Sequence, residues 1–322
     1  MTQIDRQEIL ILGGTGSLGT ALTKKLLAGY KPKGIRIYSR DEFKQWNMRK
    51  IISDINPNKI PVSFLIGDVR DKTRLSRACN GVDIIINCAA MKQVPACEEN
   101  PIEAIQTNVN GAINIIDCAI DNCVEKVLHI STDKAVYPIN LYGATKAVAE
   151  KLFIHANTYT GGHQTLFCCC RYGNVLGSRG SIIPLLREQS KTGVITITDA
   201  DMTRFWITLD QVAKFILRAL HDMTQPSIFI PRMPSMKIMD LAQVIAPDAE
   251  IRFIGAKKGE KIHECLIAHE EEISLPAEND RFVLHPLSTP ALPTYTMTYF
   301  SNTNKDFLYK DQLKKIIEEN NL

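Results

Sequence analysis

No run of apolar residues in this 322-residue chain approaches the ~20 that a membrane-spanning helix needs. Charge of one sign is lacking too. Thirty-eight basic residues against 35 acidic ones leave +3, a balance that points to neither nucleic acid nor a charged membrane surface as partner. No C-x-x-C pair occurs, and the nine cysteines are an odd number, three of them consecutive at Cys168, Cys169 and Cys170. That pattern argues against a zinc site or a disulfide framework, so no metal is expected and the thiols read as buried and reduced. The opening residues Met-Thr-Gln-Ile-Asp-Arg-Gln-Glu lack the basic-then-apolar layout of a secretion signal, and the expected location is the cytoplasm. There is no internal repeat and no low-complexity segment.

What is present is an ordinary globular composition, 45% hydrophobic and 23% charged. Short apolar runs at Glu8–Leu12, 35–38, Val62–Ile66, 83–87, Lys126–Ile130 and 164–171 read as strands. Helical patterns lie between them, including a long one over 101–122 and another over 142–159. Strands alternating with helices imply an α/β fold: a Rossmann-like, doubly wound parallel sheet with right-handed crossovers. After Arg171 the alternation stops. Residues 1–171 plus about 205–228 are expected to form the dinucleotide-binding domain. About 172–204 plus 229–322 are expected to form a smaller α/β substrate-binding cap, with a proline-punctuated, loop-rich tail before a helix at Lys310–Glu319.

Gly13-Gly14-Thr15-Gly16-Ser17-Leu18-Gly19 follows the first strand and opens a helix. Glycines spaced this way permit a tight turn and close backbone approach to a pyrophosphate at a helix N-terminus. The second strand ends at Ser39-Arg40-Asp41, with Lys44 one helical turn on. Arg40 and Lys44 favour the 2′-phosphate of NADP over NAD, although both also read as solvated charges. Asp68 and Val69 follow the third strand, where adenine would lie, and Ala89 and Ala90 follow the fourth, bordering ribose and nicotinamide. Tyr142 and Lys146 are four residues apart and share a helical face, a pairing suited to proton transfer during oxidation of an alcohol. Asp133 and Lys134, after the fifth strand, are a second carboxyl–amine pair, although an Asp-Lys pair after a strand is more often a surface ion pair. His129, within that strand, reads as packed, and His263-Glu264 as helix surface.

Together these runs resemble the extended short-chain dehydrogenase/reductases, and more closely the inverting UDP-N-acetylglucosamine 4,6-dehydratases. The similarity is carried by the glycine run at 13–19, Ser-Arg-Asp-Glu-Phe-Lys-Gln at 39–45, Gly-Asp-Val-Arg-Asp at 67–71 and Ala-Ala-Met-Lys-Gln-Val-Pro at 89–95. It continues through Ser-Thr-Asp-Lys-Ala at 131–135, Arg-Tyr-Gly-Asn-Val-Leu-Gly-Ser-Arg-Gly-Ser at 171–181 and Ile-Thr-Asp-Ala-Asp-Met-Thr-Arg-Phe-Trp at 197–206. Val136-Tyr137 departs from the pattern, standing where the family has two small residues.

The resemblance implies oxidation of a sugar at C4, elimination of water across C5–C6 and inversion at C5. Tyr142 would be the base at the 4-hydroxyl and Lys146 would tune it, with Thr132 bonding near O4. Lys134 would take the C5 proton as a neutral amine, and a protonated Asp133 would release the 6-hydroxyl. Lys92 is implied at both cofactor and substrate, and Asn174 and Val175 at sugar or diphosphate. Arg179, Arg204 and Lys257 are implied at the diphosphate and Glu260 at the uridine ribose, with solvated charge as the plainer reading of each. Asn108 would support the active-site backbone through a water. The product would enter a pseudaminic-acid type of surface-sugar synthesis, and a homo-oligomer is implied, a hexamer by resemblance. A 4-epimerase needs only Tyr142 and Lys146, a retaining dehydratase has Glu in place of Lys134, and a silent NADP-sensing module would bind without turnover.

Overall fold

The computed structural model describes residues 3–162, 164–178, 180–256, 258–275, 280–287 and 295–320. Its first half is a doubly wound sheet. Strands β1 (Glu8–Leu12), β2 (Gly34–Ser39), β3 (Val62–Ile66), β4 (Ile84–Asn87), β5 (Lys126–Ile130) and β6 (Leu166–Cys170) stand in the spatial order 3-2-1-4-5-6, all parallel. The central strands β1 and β4 are almost unbroken runs of Ile and Leu because helices cover both faces of the sheet. The order reverses between β1 and β4. Their C-terminal ends therefore diverge and leave a crevice, the usual ligand site of open α/β sheets.

The sheet continues further into the chain than the domain boundary near 228 allowed. Ile228–Pro231 pairs in parallel with β6, and Arg281–Leu284, Glu272–Ser274 and Tyr295–Thr296 extend it antiparallel. The tail read as loop-rich thus contributes edge strands. They are three or four residues long or shorter, too brief for their alternation to stand out among the prolines. A second core gathers Leu176, Ile195, Trp206, Met236, Leu241 and Leu313 around two small sheets and the helices Ile182–Ser190, Ile238–Ile245 and Lys310–Glu319. The helix Leu209–Asp222 buries Val212, Ile216 and Leu220, with Phe215 at the margin, and starts at a capping box between Thr208 and Gln211.

The long helix expected over 101–122 is interrupted. Pro101–Ile105 and Gly111–Asp121 are joined by one π turn, Gln106–Asn110. The extra residue of a π turn rotates a side chain off its helical face, and here it is Asn108 that turns inward.

Arg171, directly after β6, joins the two halves. Its Nε and Nη2 donate to the two carboxylate oxygens of Glu150 at 2.9 and 2.7 Å, and Nη1 and Nη2 donate to Glu271 at 2.8 Å each. Nη1 also donates to the Leu266 carbonyl at 3.0 Å, so every donor of the buried guanidinium is engaged. Arg171→Met leaves two facing carboxylates without their cation. We expect it to cost about 3–5 kcal/mol, read as a lower urea midpoint at neutral pH with the slope unchanged.

Candidate active site

The crevice is a cleft of about 870 Å³. Gly13, Thr15, Gly16, Ser17, Leu18 and Gly19 line one end, with Ser39, Arg40, Asp41, Lys44, Asp68, Val69, Ala89 and Ala90. Lys92, Thr132, Lys134, Tyr142, Lys146, Asn174 and Val175 line the other. The topology therefore brings both sets of expected residues, spread from Gly13 to Val175, to one cavity.

The glycine end is shaped for a diphosphate. Gly13 has φ +69°, and a Cβ there would stand 2.9 Å from the Ala89 backbone, so the β1 and β4 loops close up only around glycine. The helix Ser17–Gly29 begins with no side-chain cap and no acidic residue in its first turn. The positive end of its dipole thus faces the cleft with no acidic side chain in the first turn to offset it. Asp41, by contrast, is occupied. Its carboxylate caps the next helix by accepting from the Lys44 N–H at 2.9 Å and pairs with Lys44 Nζ at 2.7 Å. Arg40 is mostly exposed, 3.6 Å from Asp68.

The other end is built on the loop after β5. Thr132 opens a single 3-10 turn, Asp133–Ala135, that starts the Lys134 side chain toward the cleft and drives Asp133 beneath it. The helix Leu141–Ala156 lies directly on this turn: a Cβ at Gly143 would stand 2.2 Å from the Lys134 carbonyl oxygen. Asn108 holds the loop after β4 through direct hydrogen bonds. It accepts from the Met91 N–H at 2.8 Å and donates to the Met91 carbonyl at 2.9 Å and to Thr145 Oγ1 at 3.0 Å.

Lys146 is buried. Its Nζ donates to the Ile130 carbonyl at 2.5 Å and lies 2.8 Å from His129 Nε2. Parallel register places His129 beside Asn87, whose Nδ2 lies 2.9 Å from Nδ1, while Asn87 Oδ1 accepts from the Ala89 N–H at 3.1 Å. Each ring nitrogen of His129 thus has a polar partner, Asn87 at Nδ1 and Lys146 at Nε2. Burial draws the Lys146 amine down to about 8. His129 is packed, as expected, but it also touches the lysine of the Tyr/Lys pair. A buried polar contact of this kind has no signature in a strand's hydrophobic pattern.

Tyr142 departs from its expected tuning. Burial pushes its phenol up to about 12, and the opposing influences come from the Lys134 ammonium and a hydrogen bond with Thr132. The cation acting on the phenol is therefore Lys134 rather than Lys146. Lys134 is itself not the neutral amine expected. Burial alone would neutralise it, but Asp133 Oδ1 at 3.1 Å and Glu264 Oε1 at 3.3 Å hold its proton well above the ordinary lysine range. Asp133 is fully buried, accepts from Thr132 Oγ1 at 2.9 Å, and leaves Oδ2 without a hydrogen-bond partner among the described residues. Burial raises its carboxyl, as the expected acid role requires.

Other expectations change more. Glu264, read as helix surface, is buried just ahead of the strand Cys265–Ile267 and faces Lys134, Arg204 and Lys261. Arg204 is buried with Nη1 donating to the carbonyls of Thr203 and Ile262 and Nη2 to Lys261, and it does not line the cleft. Glu260 accepts from Thr198 Oγ1 at 3.0 Å, also outside the cleft lining. Arg179 and Lys257 lie outside the described residues. Among the described residues no helix is long and apolar enough to cross a membrane.

The sequence profile of a family described as polysaccharide biosynthesis protein matches residues 9–286. A Campylobacter jejuni protein named UDP-N-acetylglucosamine 4,6-dehydratase (inverting) is 49% identical over 83% of this chain and 79% of its own length. A Rickettsia conorii protein named UDP-glucose 4-epimerase is 45% identical over 82% of this chain and 78% of its own. Among solved structures, Pen from Bacillus thuringiensis superposes with a TM-score of 0.89 at 35% identity, covering 99% of both chains.

The buried Lys146 amine yields a stability test whose sign follows from its shift. Its proton leaves at about 8 in the folded chain and at about 10.4 in the unfolded one. Between those values the unfolded state binds more protons, so the penalty of burying the ammonium is full below pH ~8 and fades as pH rises toward ~10.4. Lys146→Met should therefore stabilise the ligand-free protein at neutral pH by about 1–3 kcal/mol, with the gain shrinking across that window in denaturation curves.

Proposed function

The chain belongs to the polysaccharide biosynthesis protein family, with inverting UDP-N-acetylglucosamine 4,6-dehydratases among its relatives, and from that premise we propose that it is itself such an enzyme, dependent on NADP. Its product would be UDP-2-acetamido-2,6-dideoxy-β-L-arabino-hexos-4-ulose, a precursor for surface sugars of the pseudaminic-acid type. The observation that carries the reading is the Asp133–Lys134 pair beside Tyr142 in the same cleft as the glycine loop. An epimerase has no use for it.

The glycine loop, the uncapped helix and the small Ala89 and Ala90 would hold the dinucleotide. Capping occupies Asp41, the residue placed to bind the 2′-hydroxyl of NAD, while Arg40 and Lys44 remain beside it. This supports NADP. When bound, the cofactor accepts hydride from C4 of the sugar and later returns it at C6.

The chain's own groups handle the protons. Tyr142 takes the 4-hydroxyl proton, with Thr132 and Lys134 stabilising its phenolate. The C4 ketone then acidifies the C5 hydrogen. The Asp133–Lys134 ion pair already holds the number of protons the elimination needs. Moving one proton across the 3.1 Å from Nζ to Oδ1 turns it into a neutral amine and a carboxylic acid. The amine takes the C5 proton. The acid, reaching the cleft through the Thr132 hydroxyl, supplies the proton that leaves with the 6-hydroxyl as water. Reprotonation of C5 from the opposite face inverts it. Lys92, Asn174 and Val175 would contact the substrate. Arg179 and Lys257 are proposed for the diphosphate on resemblance alone. Arg204 and Glu260 would have to leave their present partners to take part.

The second reading, a 4-epimerase, draws on the Rickettsia relative. The helices Pro101–Ile105, Gly111–Asp121 and Leu141–Ala156 expose Ile102, Ile105, Ile113 and Val148, which supports packing against a second copy. A homo-oligomer is accordingly proposed, the number following the family's hexamer, and a cytoplasmic location accompanies the reading.

Incubation with UDP-N-acetylglucosamine in deuterated water should give, by NMR, a 4-keto-6-deoxy sugar of L-arabino configuration with deuterium at C5. UDP-N-acetylgalactosamine would replace this reading with the epimerase, D-xylo product with a retaining dehydratase, and cofactor binding without turnover with a sensing module. Arg40→Ala should weaken NADP relative to NAD by roughly tenfold in calorimetric titration, and equal losses for both would favour NAD.

A further inference from the structure

Glu264 has no part in the chemistry above, yet its shortest ionic contact is with Lys134. Its backbone is fixed first. The Glu264 N–H donates to Ser301 Oγ at 2.9 Å and its carbonyl accepts from the Ser301 N–H at 2.9 Å. Ser301 is in turn tied to the strand Thr203–Thr208, with Oγ 2.7 Å from Thr203 Oγ1. The carboxylate is therefore held at a set place by a segment other than the turn that carries Asp133. Oε1 stands 3.3 Å from Lys134 Nζ and 3.8 Å from Arg204 Nε, and Oε2 stands 3.6 Å from Lys261 Nζ.

The two other cations are satisfied elsewhere. Arg204 donates to three backbone carbonyls, and Lys261 Nζ donates to the Val136 carbonyl at 2.6 Å. Oε2 makes no hydrogen bond among the described residues, so packing alone does not call for a carboxylate here. A glutamine would fill the same space with a smaller desolvation cost. What needs the charge is the lysine in the cleft. The groups facing Lys134 are Asp133 on its own turn, Tyr142 on the helix Leu141–Ala156, Arg204 on the strand Thr203–Thr208, and Glu264. Glu264 and Asp133 are the carboxylates among them.

We propose that Glu264 is a positioning residue for Lys134: as the second carboxylate at its ammonium it fixes where the amine stands, and it keeps the proton shared by Asp133 and Lys134 on nitrogen until substrate chemistry moves it. Glu264 Oε1 stands 3.3 Å from Lys134 Nζ and so stabilises the ammonium form of the lysine. Lys134 then has its aim set from two sides, and the phenol of Tyr142 keeps a cation beside it in the resting enzyme.

The kinetic half of the test rests on the dehydratase reading, and the labelling half does not. Lys134 lines the cleft, so an amine-reactive reagent can be followed at this residue by peptide mass spectrometry on the intact protein at mildly alkaline pH. Glu264→Gln should label several-fold faster than wild type at Lys134, since more of the amine is neutral. Its kcat with UDP-N-acetylglucosamine should fall roughly 10- to 100-fold with KM within about twofold. Glu264→Asp keeps the charge but withdraws it by one methylene. It should label as slowly as wild type and still lose turnover, which keeps the claim open to refutation if the glutamine variant does not fold. Wild-type labelling in the glutamine variant, or wild-type kcat in the aspartate variant, overturns the proposal. If wild type itself fails to dehydrate, the reading of function falls while the labelling comparison still decides whether Glu264 holds the Lys134 proton.

Discussion

The guanidinium of Arg171 is the contact on which the site's geometry depends. It stands at the end of β6 with all five N–H groups engaged, two of them forming a fork on Glu150 and two a fork on Glu271. Glu150 lies one helical turn beyond Lys146 on the helix that also carries Tyr142. Glu271 and Leu266, whose carbonyl Arg171 also holds, flank the segment that follows Glu264. One planar cation therefore sets the distance between the helix that brings the Tyr/Lys pair and the segment that closes over Lys134. A fork is stiff where a single ammonium contact would pivot.

The polar groups above this clamp behave as a network. Lys134 shares its charge between Asp133 and Glu264, and its field reaches the Tyr142 phenol. Lys146 faces inward to His129 and the Ile130 carbonyl. The resting protein thus stores a cation beside the phenol and an easily deprotonated amine behind it. Proton transfers in such a setting need little rearrangement because the donors and acceptors already stand at hydrogen-bond distance.

Much of the dinucleotide half was legible beforehand. Gly13, Gly16 and Gly19 after β1, the Ser39–Lys44 run after β2 and the Ala89-Ala90 pair after β4 line the cleft as expected. Their roles follow from local rules: strand, tight turn, helix start. The Asp133, Lys134, Tyr142 and Lys146 cluster was legible as residue types and positions, although its ionic states were not. Lys134 was expected neutral because the partner carboxylate Glu264, 130 residues later, carries no local sign of being buried. Arg204 was expected at a phosphate because an arginine in a motif reads as available, and only the fold shows its donors directed to the carbonyls of Thr203, Lys261 and Ile262. The edge strands among the late prolines were missed for lack of length.

The sequence by itself determined the doubly wound sheet, the glycine turn and the presence of a Tyr/Lys and an Asp/Lys pair. Each of these depends on hydrophobic period, glycine stereochemistry or helical spacing over a few residues. Tertiary structure alone decided which charges meet: Glu264 with Lys134, His129 with Lys146, Arg171 with both Glu150 and Glu271. The reason is physical. Backbone geometry is dictated by near neighbours in the chain, whereas the cost of a buried charge depends on what solvent is excluded and which partner is brought close, and those are set by segments far apart in sequence.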